Sequence, residues 1–160
     1  MDWDRFLKRY VWDDETTPYL VPVARLTRRQ ADYELYAYAI FLGTLFAVVS
    51  VAALTGKLPG GRLPGVAFYA FAMVCAAVLL GFGRSHLAAL YTATGPVAAL
   101  AYFYLFGFHP KLSGIDHVAI VLFVVLWLRY SVRVIAIARR YGEMPEGEGK
   151  PRGRRGRWHD

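Results

Sequence analysis

The sequence predicts an all-α integral membrane protein: a four-helix transmembrane bundle with a short amphipathic helix on the membrane surface at its N-terminus. Of the 160 residues, 56% are hydrophobic and the mean hydropathy is +0.31, which is more apolar than soluble domains usually are. The apolar residues collect in four segments, 33–54, 64–82, 87–108 and 115–137. Each segment is near the ~20 residues that a helix needs to cross a bilayer.

Two other fold classes fit these segments less well. The segments are apolar on every face, whereas the helices of a soluble bundle keep a polar stripe. They are also continuous, whereas a transmembrane β-strand alternates between apolar and polar residues over about ten positions. Cys75 is the single cysteine, so no disulfide within the chain and no thiolate metal cluster is expected.

Residues 1–31 form a predicted N-terminal segment that contains the surface helix. Trp3 and Phe6 recur at helical spacing with further apolar residues, while Arg5, Lys8 and Arg9 are placed to meet anionic headgroups. The pattern also fits a helix that packs on a partner protein.

The predicted transmembrane domain spans residues 32–140, and helix-capping signals mark two of its boundaries. Thr27 with Gln30 has the spacing of a capping box before the first helix, and Ser113 with Asp116 repeats it before the fourth. Pro64 suits the first turn of the second helix. The connections are short, so consecutive helices are expected to be antiparallel neighbours.

Small residues predict close helix contacts. Ala39, Gly43 and Ala47 form a small-xxx-small row in the first helix. Gly95 and Pro96 in the third segment predict a kink near its middle.

Residues 141–160 are rich in Gly, Pro and charge and predict a disordered, basic tail. Its run PRGRRGRW has the composition of an RNA-binding segment, but basic residues beside a membrane more often meet anionic lipid. Lipid is therefore expected as its partner, and nucleic acid is not.

The distribution of basic residues predicts the orientation. Of 19 Lys and Arg residues, three lie in the first and third connections, Lys57, Arg62 and Lys111. The positive-inside rule then places both termini in the cytoplasm. Arginine outnumbers lysine 15 to 4 and alanine is abundant, a composition that suggests a GC-rich bacterial genome. The expected location is the cell (inner) membrane.

Four charged residues at the cytoplasmic boundary predict an interhelical cluster: Asp32, Glu34, Arg129 and Arg133. Arginines below the membrane surface face the bundle or find a partner, or else extend to the headgroups. We expect Glu34 to pair with Arg133 and to lock the fourth helix to the first. Asp32 is then left to Arg28, Arg29 or water.

The sequence contains no recognisable enzyme motif, and no catalytic residue, metal site or cofactor is predicted. His109 and His117 flank the third connection and are weak candidates for holding haem. The chain is similar in size to the small multidrug resistance transporters, but these depend on an acid within the first membrane helix. Here Asp32 and Glu34 lie at its mouth instead.

Three function classes remain. The first is a non-catalytic membrane protein that acts through protein and lipid contacts, as an accessory subunit, assembly factor or scaffold, with a membrane protein partner or a second copy. The second is a small oligomeric transporter or channel, and the third is a haem-binding redox subunit. The first is favoured, because the spans offer no acid of the kind that marks an ion path.

Overall fold

The computed structural model describes residues 21–108 and 113–146. Apart from one β-bridge between Leu58 and Gly61, the regular structure in these residues is helical. The helices are α1 (Arg28–Thr55), α2 (Pro64–Gly83), α3 (His86–Thr92), α4 (Thr94–Phe106) and α5 (Gly114–Arg140), with 3-10 turns at Val23–Arg25 and Tyr141–Glu143. The described residues thus contain four helical segments long and apolar enough to cross a membrane, α3 and α4 together forming the third.

Both predicted capping boxes are confirmed. The Thr27 hydroxyl accepts a hydrogen bond from the Gln30 backbone N–H, and the Gln30 side chain accepts one from the Thr27 N–H. Ser113 and Asp116 exchange the same two bonds before α5. These bonds satisfy N–H groups that have no partner inside the helix, so the two helix starts are specified locally.

The helices surround a common core in chain order, and α5 closes the ring against α1. The contact between α1 and α2 is the most extensive. It depends on small residues: a Cβ added at Gly81 would lie 3.0 Å from the Ala39 Cβ. Ser50 also donates a 3.1 Å hydrogen bond to the Ala67 carbonyl across this contact. α5 stands further from α1, and long side chains bridge the gap.

The third segment is interrupted at Ala93, between α3 and α4. Pro96 causes the break, because it has no N–H to donate to Thr92 and its ring crowds that carbonyl. Gly95 is buried at the same level, where an added Cβ would lie 2.8 Å from Met73 Cε and 3.0 Å from the Trp127 ring. The third segment thus has a one-residue interruption at the level where a kink was predicted, and Ala93 keeps right-handed helical dihedral angles there (φ −70°, ψ −13°).

Residues 141–146 differ from the predicted disordered tail. The 3-10 turn Tyr141–Glu143 ends α5, and the Met144 side chain is 6% exposed within the core. The Pro145 carbonyl accepts a 3.0 Å hydrogen bond from the Arg28 N–H. Composition alone misled here, because Gly and Pro also suit a tight strap that crosses a helix start. The predicted surface helix (Trp3, Arg5, Phe6, Lys8, Arg9) and residues 147–160 lie outside the described residues.

Candidate functional site

One end of the bundle, which we call the charged end, carries Asp32, Glu34, Arg84 and Arg133. The other end, the loop end, carries the connection 57–63. The site comprises the ion pairs of the charged end and a cavity near the loop end.

Arg133 of α5 forms a two-bond ion pair with Glu34 of α1. Its Nε donates to one carboxylate oxygen at 3.0 Å and its NH2 group to the other at 2.7 Å. The Glu34 side chain is fully buried and that of Arg133 is 19% exposed. A planar guanidinium matches both oxygens of a carboxylate, so the pair fixes the rotation of α5 against α1 as well as their distance.

A second ion pair joins Asp32 of α1 to Arg84, which follows α2. The NH2 and Nε atoms of Arg84 lie 2.6 and 2.7 Å from one Asp32 oxygen, and the Tyr141 hydroxyl donates to the same oxygen at 2.8 Å. The guanidinium also stacks over the Tyr36 ring at 4.4 Å and donates to the Gly81 carbonyl at the end of α2. Arg84 thereby joins the start of α1 to the ends of α2 and α5.

The surroundings of Arg84 raise the pKa of its guanidinium above the ordinary arginine value. Burial acts to lower this pKa, but the hydrogen bonds with Tyr36 and Asp32 and the charge of Asp32 outweigh it. A group whose pKa is raised by folding stabilises the fold at every pH below its unfolded value and loses this effect only as the pH rises through the folded value. The Arg84 contribution therefore persists through the alkaline range.

The strap 141–146 closes the charged end from outside. Arg28 donates to the Gly142 carbonyl at 2.9 Å and to the Glu146 carboxylate at 3.1 Å. This ion pair is solvent-exposed, so its contribution to stability is small, whereas the Met144 and Pro145 contacts involve buried or backbone groups.

A buried hydrogen-bond chain lies one turn deeper, between α1 and α5. Trp127 Nε1 donates to the Tyr38 hydroxyl at 3.2 Å, and that hydroxyl lies 2.8 Å from the Ser131 hydroxyl. Ser131 in turn donates to the Trp127 carbonyl. These hydrogen bonds satisfy the polar groups where water is excluded. Together with the Glu34–Arg133 ion pair, they hold α5 in one position along α1.

The position of Arg129 corrects the predicted cluster. Arg129 is exposed on the outside of α5, and it belongs to none of the ion pairs among the described residues. Residues four apart on a helix lie one turn apart, so Arg129 is a turn deeper than Arg133. At that depth α1 presents Tyr38, which has no charge to offer. Asp32 likewise pairs with Arg84 rather than with Arg28, whose guanidinium bonds the strap.

The other predicted site residues are scattered. Ala39 faces α2, whereas Gly43 has open space around it and Ala47 is exposed, so the predicted row is not one interface within the bundle. The His117 ring stacks on Phe108 at 4.3 Å, and its Nε2 has no hydrogen-bond partner among the described residues. His109 lies outside those residues.

An apolar cavity of about 520 Å³ lies between α1, α2, α4 and α5 toward the loop end. Its wall reaches from Gly95 and Trp127 at mid-bundle to Leu58 in the connection 57–63. Sequence reasoning missed this cavity, because it arises from how far α4 stands from the bundle axis: of the 13 residues of α4, only Gly95 and Pro96 are buried.

Sequence reasoning also missed Arg84. A signal was present, since Arg84 is the one basic residue of the second connection, but its left-handed backbone conformation decides where the side chain points (φ 49°). Comparisons with protein-family models, with curated proteins and with solved structures find no match.

Proposed function

We propose that this chain is a non-catalytic integral membrane protein that acts through contacts in the membrane, as an accessory subunit, assembly factor or scaffold of a larger complex. The four long apolar helices support membrane placement, and the distribution of basic residues supports a cell (inner) membrane orientation with both termini cytoplasmic. The charged end would then lie at the cytoplasmic surface.

The observation that carries the proposal is the uneven packing of the bundle. The charged end is held by two ion pairs that join α1 to α5 and to the end of α2. Beyond its first turn, α4 contributes no buried residue, and its Tyr104 and Leu105 side chains are 89% and 71% exposed. A rigid base with one loosely packed helix presents an apolar surface suited to another transmembrane helix.

Purification in a mild detergent tests this proposal. We expect a membrane protein to co-purify with the full chain in a fixed ratio. The substitution Tyr104→Ala, which lies outside the cavity wall, should weaken this co-purification, whereas the control substitution Phe68→Ala, at a similarly exposed site on α2, should not. A chain that purifies alone, as monomer or homo-oligomer, would contradict the proposal.

A small oligomeric transporter is the second candidate. Gly95, just after the interruption at Ala93, lines the apolar cavity, and interrupted membrane helices line the binding sites of several transporter types. A purified homo-oligomer that transports a lipophilic cation across a vesicle membrane would favour this candidate over the first.

A further inference from the structure

We propose that the loop-end cavity is a binding site for one phospholipid molecule, with an acyl chain in the cavity and its phosphate held by Lys57 and Arg62. The inference goes beyond the proposed function and shares with it only the placement of the chain in a membrane.

The wall of the cavity offers a guest apolar contact alone. Its three polar side chains are already bonded: Tyr69 to Thr94 at 2.7 Å, Tyr102 to the Pro59 carbonyl at 2.6 Å, and Trp127 to Tyr38 at 3.2 Å. A water molecule needs two or more polar partners to enter such a space, so water is not a favoured occupant.

The size of the cavity suits a thin chain. Its volume of about 520 Å³ lies in the range of small-ligand sites. A single acyl chain is much narrower than a helix, which is about 10–12 Å in diameter with its side chains, so the cavity suits a lipid chain better than a helix. Apolar side chains that line an unfilled space lack packing contacts on that side, so an acyl chain that packs against them stabilises the bundle.

The cavity is open to the side. Leu105 and Phe123 belong to its wall and are also 71% and 50% exposed at the surface of the bundle. In a membrane the opening between Leu105 and Phe123 lies beside the hydrocarbon layer, so an acyl chain can enter without leaving that layer.

The connection 57–63 covers the end of the cavity and carries the charges that match a phosphate. Leu58 lies in the wall, the Pro59 carbonyl accepts from Tyr102, and the Phe106 ring packs so closely on Gly60 that an added Cβ would lie 2.7 Å away. Lys57 and Arg62 flank this cover and are exposed, and neither belongs to an ion pair among the described residues. Basic residues at a membrane surface attract lipid phosphates.

Trp127 allows a direct test, because it lies in the cavity wall. The other tryptophans are Trp3, Trp12 and Trp158, and replacing these three by Phe in the full chain leaves Trp127 as the only fluorophore of its kind. The protein is held in detergent and titrated with a phosphatidylglycerol brominated along its acyl chains. We expect quenching of Trp127 that saturates near one lipid per protein.

Two substitutions in this background locate the site. Ala98→Phe, which places a ring in the cavity, should abolish the saturable quenching, whereas Ala47→Phe on the exposed face of α1 should leave it intact. If the Ala98→Phe protein lacks the helical circular dichroism of the parent, the same test is made with Val66→Phe, which fills the cavity from the side of α2. Quenching that never saturates, or that Ala98→Phe and Val66→Phe leave unchanged, would overturn the proposal.

The headgroup is tested separately. Lys57→Gln with Arg62→Gln should weaken phosphatidylglycerol binding by roughly tenfold or more, whereas Arg129→Gln, at another exposed arginine, should not. A brominated free fatty acid that binds more tightly than the phospholipid would overturn the phospholipid assignment. These readouts do not depend on a protein partner, so the failure of the co-purification experiment leaves them unaffected.

Discussion

The carboxylate of Glu34 is fully buried beside a single guanidinium. A buried charge is costly unless it is paired, so each member of this pair needs the other. Arg133 gains as well, because its guanidinium meets two oxygens in one plane.

Reversing the charge of Glu34 tests this dependence. Glu34→Arg should lower the free energy of unfolding by roughly 3 kcal/mol, because it leaves two cations in contact. The loss should appear as a lower midpoint of thermal unfolding in detergent. Adding Arg133→Glu should restore part of the loss. The control is Arg129→Glu, which makes the same charge change as Arg133→Glu at an exposed site of α5 and should by itself have little effect on stability. Additive losses in the Glu34/Arg133 double variant would show that the two residues do not interact.

The side chain of Arg84 stabilises the fold through its ion pair with Asp32. Its backbone conformation is costly for a residue other than glycine, because its φ of 49° lies in the left-handed region. Arg84→Ala and Arg84→Gly both remove the ion pair with Asp32, but only Gly adopts this conformation without a steric cost. We expect both variants to be less stable than the parent and Arg84→Ala to unfold more readily than Arg84→Gly by about 1 kcal/mol. Equal unfolding midpoints for the two variants would contradict the left-handed turn.

Among the helices, α4 depends most on a single residue. Gly95 allows the start of α4 to approach the side chains of Phe46, Met73 and Trp127. Gly95→Ala should therefore lower the unfolding midpoint relative to Gly43→Ala, since Gly43 has no atom within 4 Å of an added Cβ. The Met73 methyl is mobile enough to give way in part, so we expect a difference of about 1 kcal/mol. A Gly95→Ala protein as stable as Gly43→Ala would place α4 further from the core.

The strap beyond α5 is the second element with a testable role. A chain that ends after Gly142 loses the buried Met144 and the Pro145 carbonyl that accepts from the Arg28 N–H. We expect it to unfold more readily than a chain that ends after Glu146, by about 2 kcal/mol for the lost Met burial. The Glu146 chain serves as the control, because it keeps each contact of the strap described above. Equal stability would show that the strap does not hold the charged end.

For the molecule as a whole, the proposed orientation with both termini in the cytoplasm rests on 16 basic residues outside the first and third connections against three within them. A reporter that is active only in the cytoplasm should be active when fused after Asp160 and inactive when inserted after Gly61, which has open space around it. The reverse pattern would invert the orientation and place the charged end outside the cell.

Features that depend on neighbouring residues were predictable from the sequence, and features that depend on the relative position of helices were less so. The capping boxes at Thr27 and Ser113 need only a four-residue pattern, and both are present. The contact of Glu34 with Arg133 followed from matching depths along two helices. The Asp32–Arg84 pair did not, because Arg84 reaches Asp32 only through a left-handed turn. The cavity depends on the distance of α4 from the other helices, which no local pattern encodes.

The two ion pairs of the charged end also constrain how the chain is made. Asp32 precedes its partner by 52 residues and Glu34 precedes its partner by 99. During synthesis, Asp32 can therefore meet Arg84 once α2 is complete, whereas Glu34 can meet Arg133 only after about three quarters of the 27 residues of α5 have been made. A nascent chain halted before Arg133 lacks the guanidinium that pairs with Glu34 in the complete chain. The helix made last thus supplies the charge that balances the buried carboxylate of the helix made first.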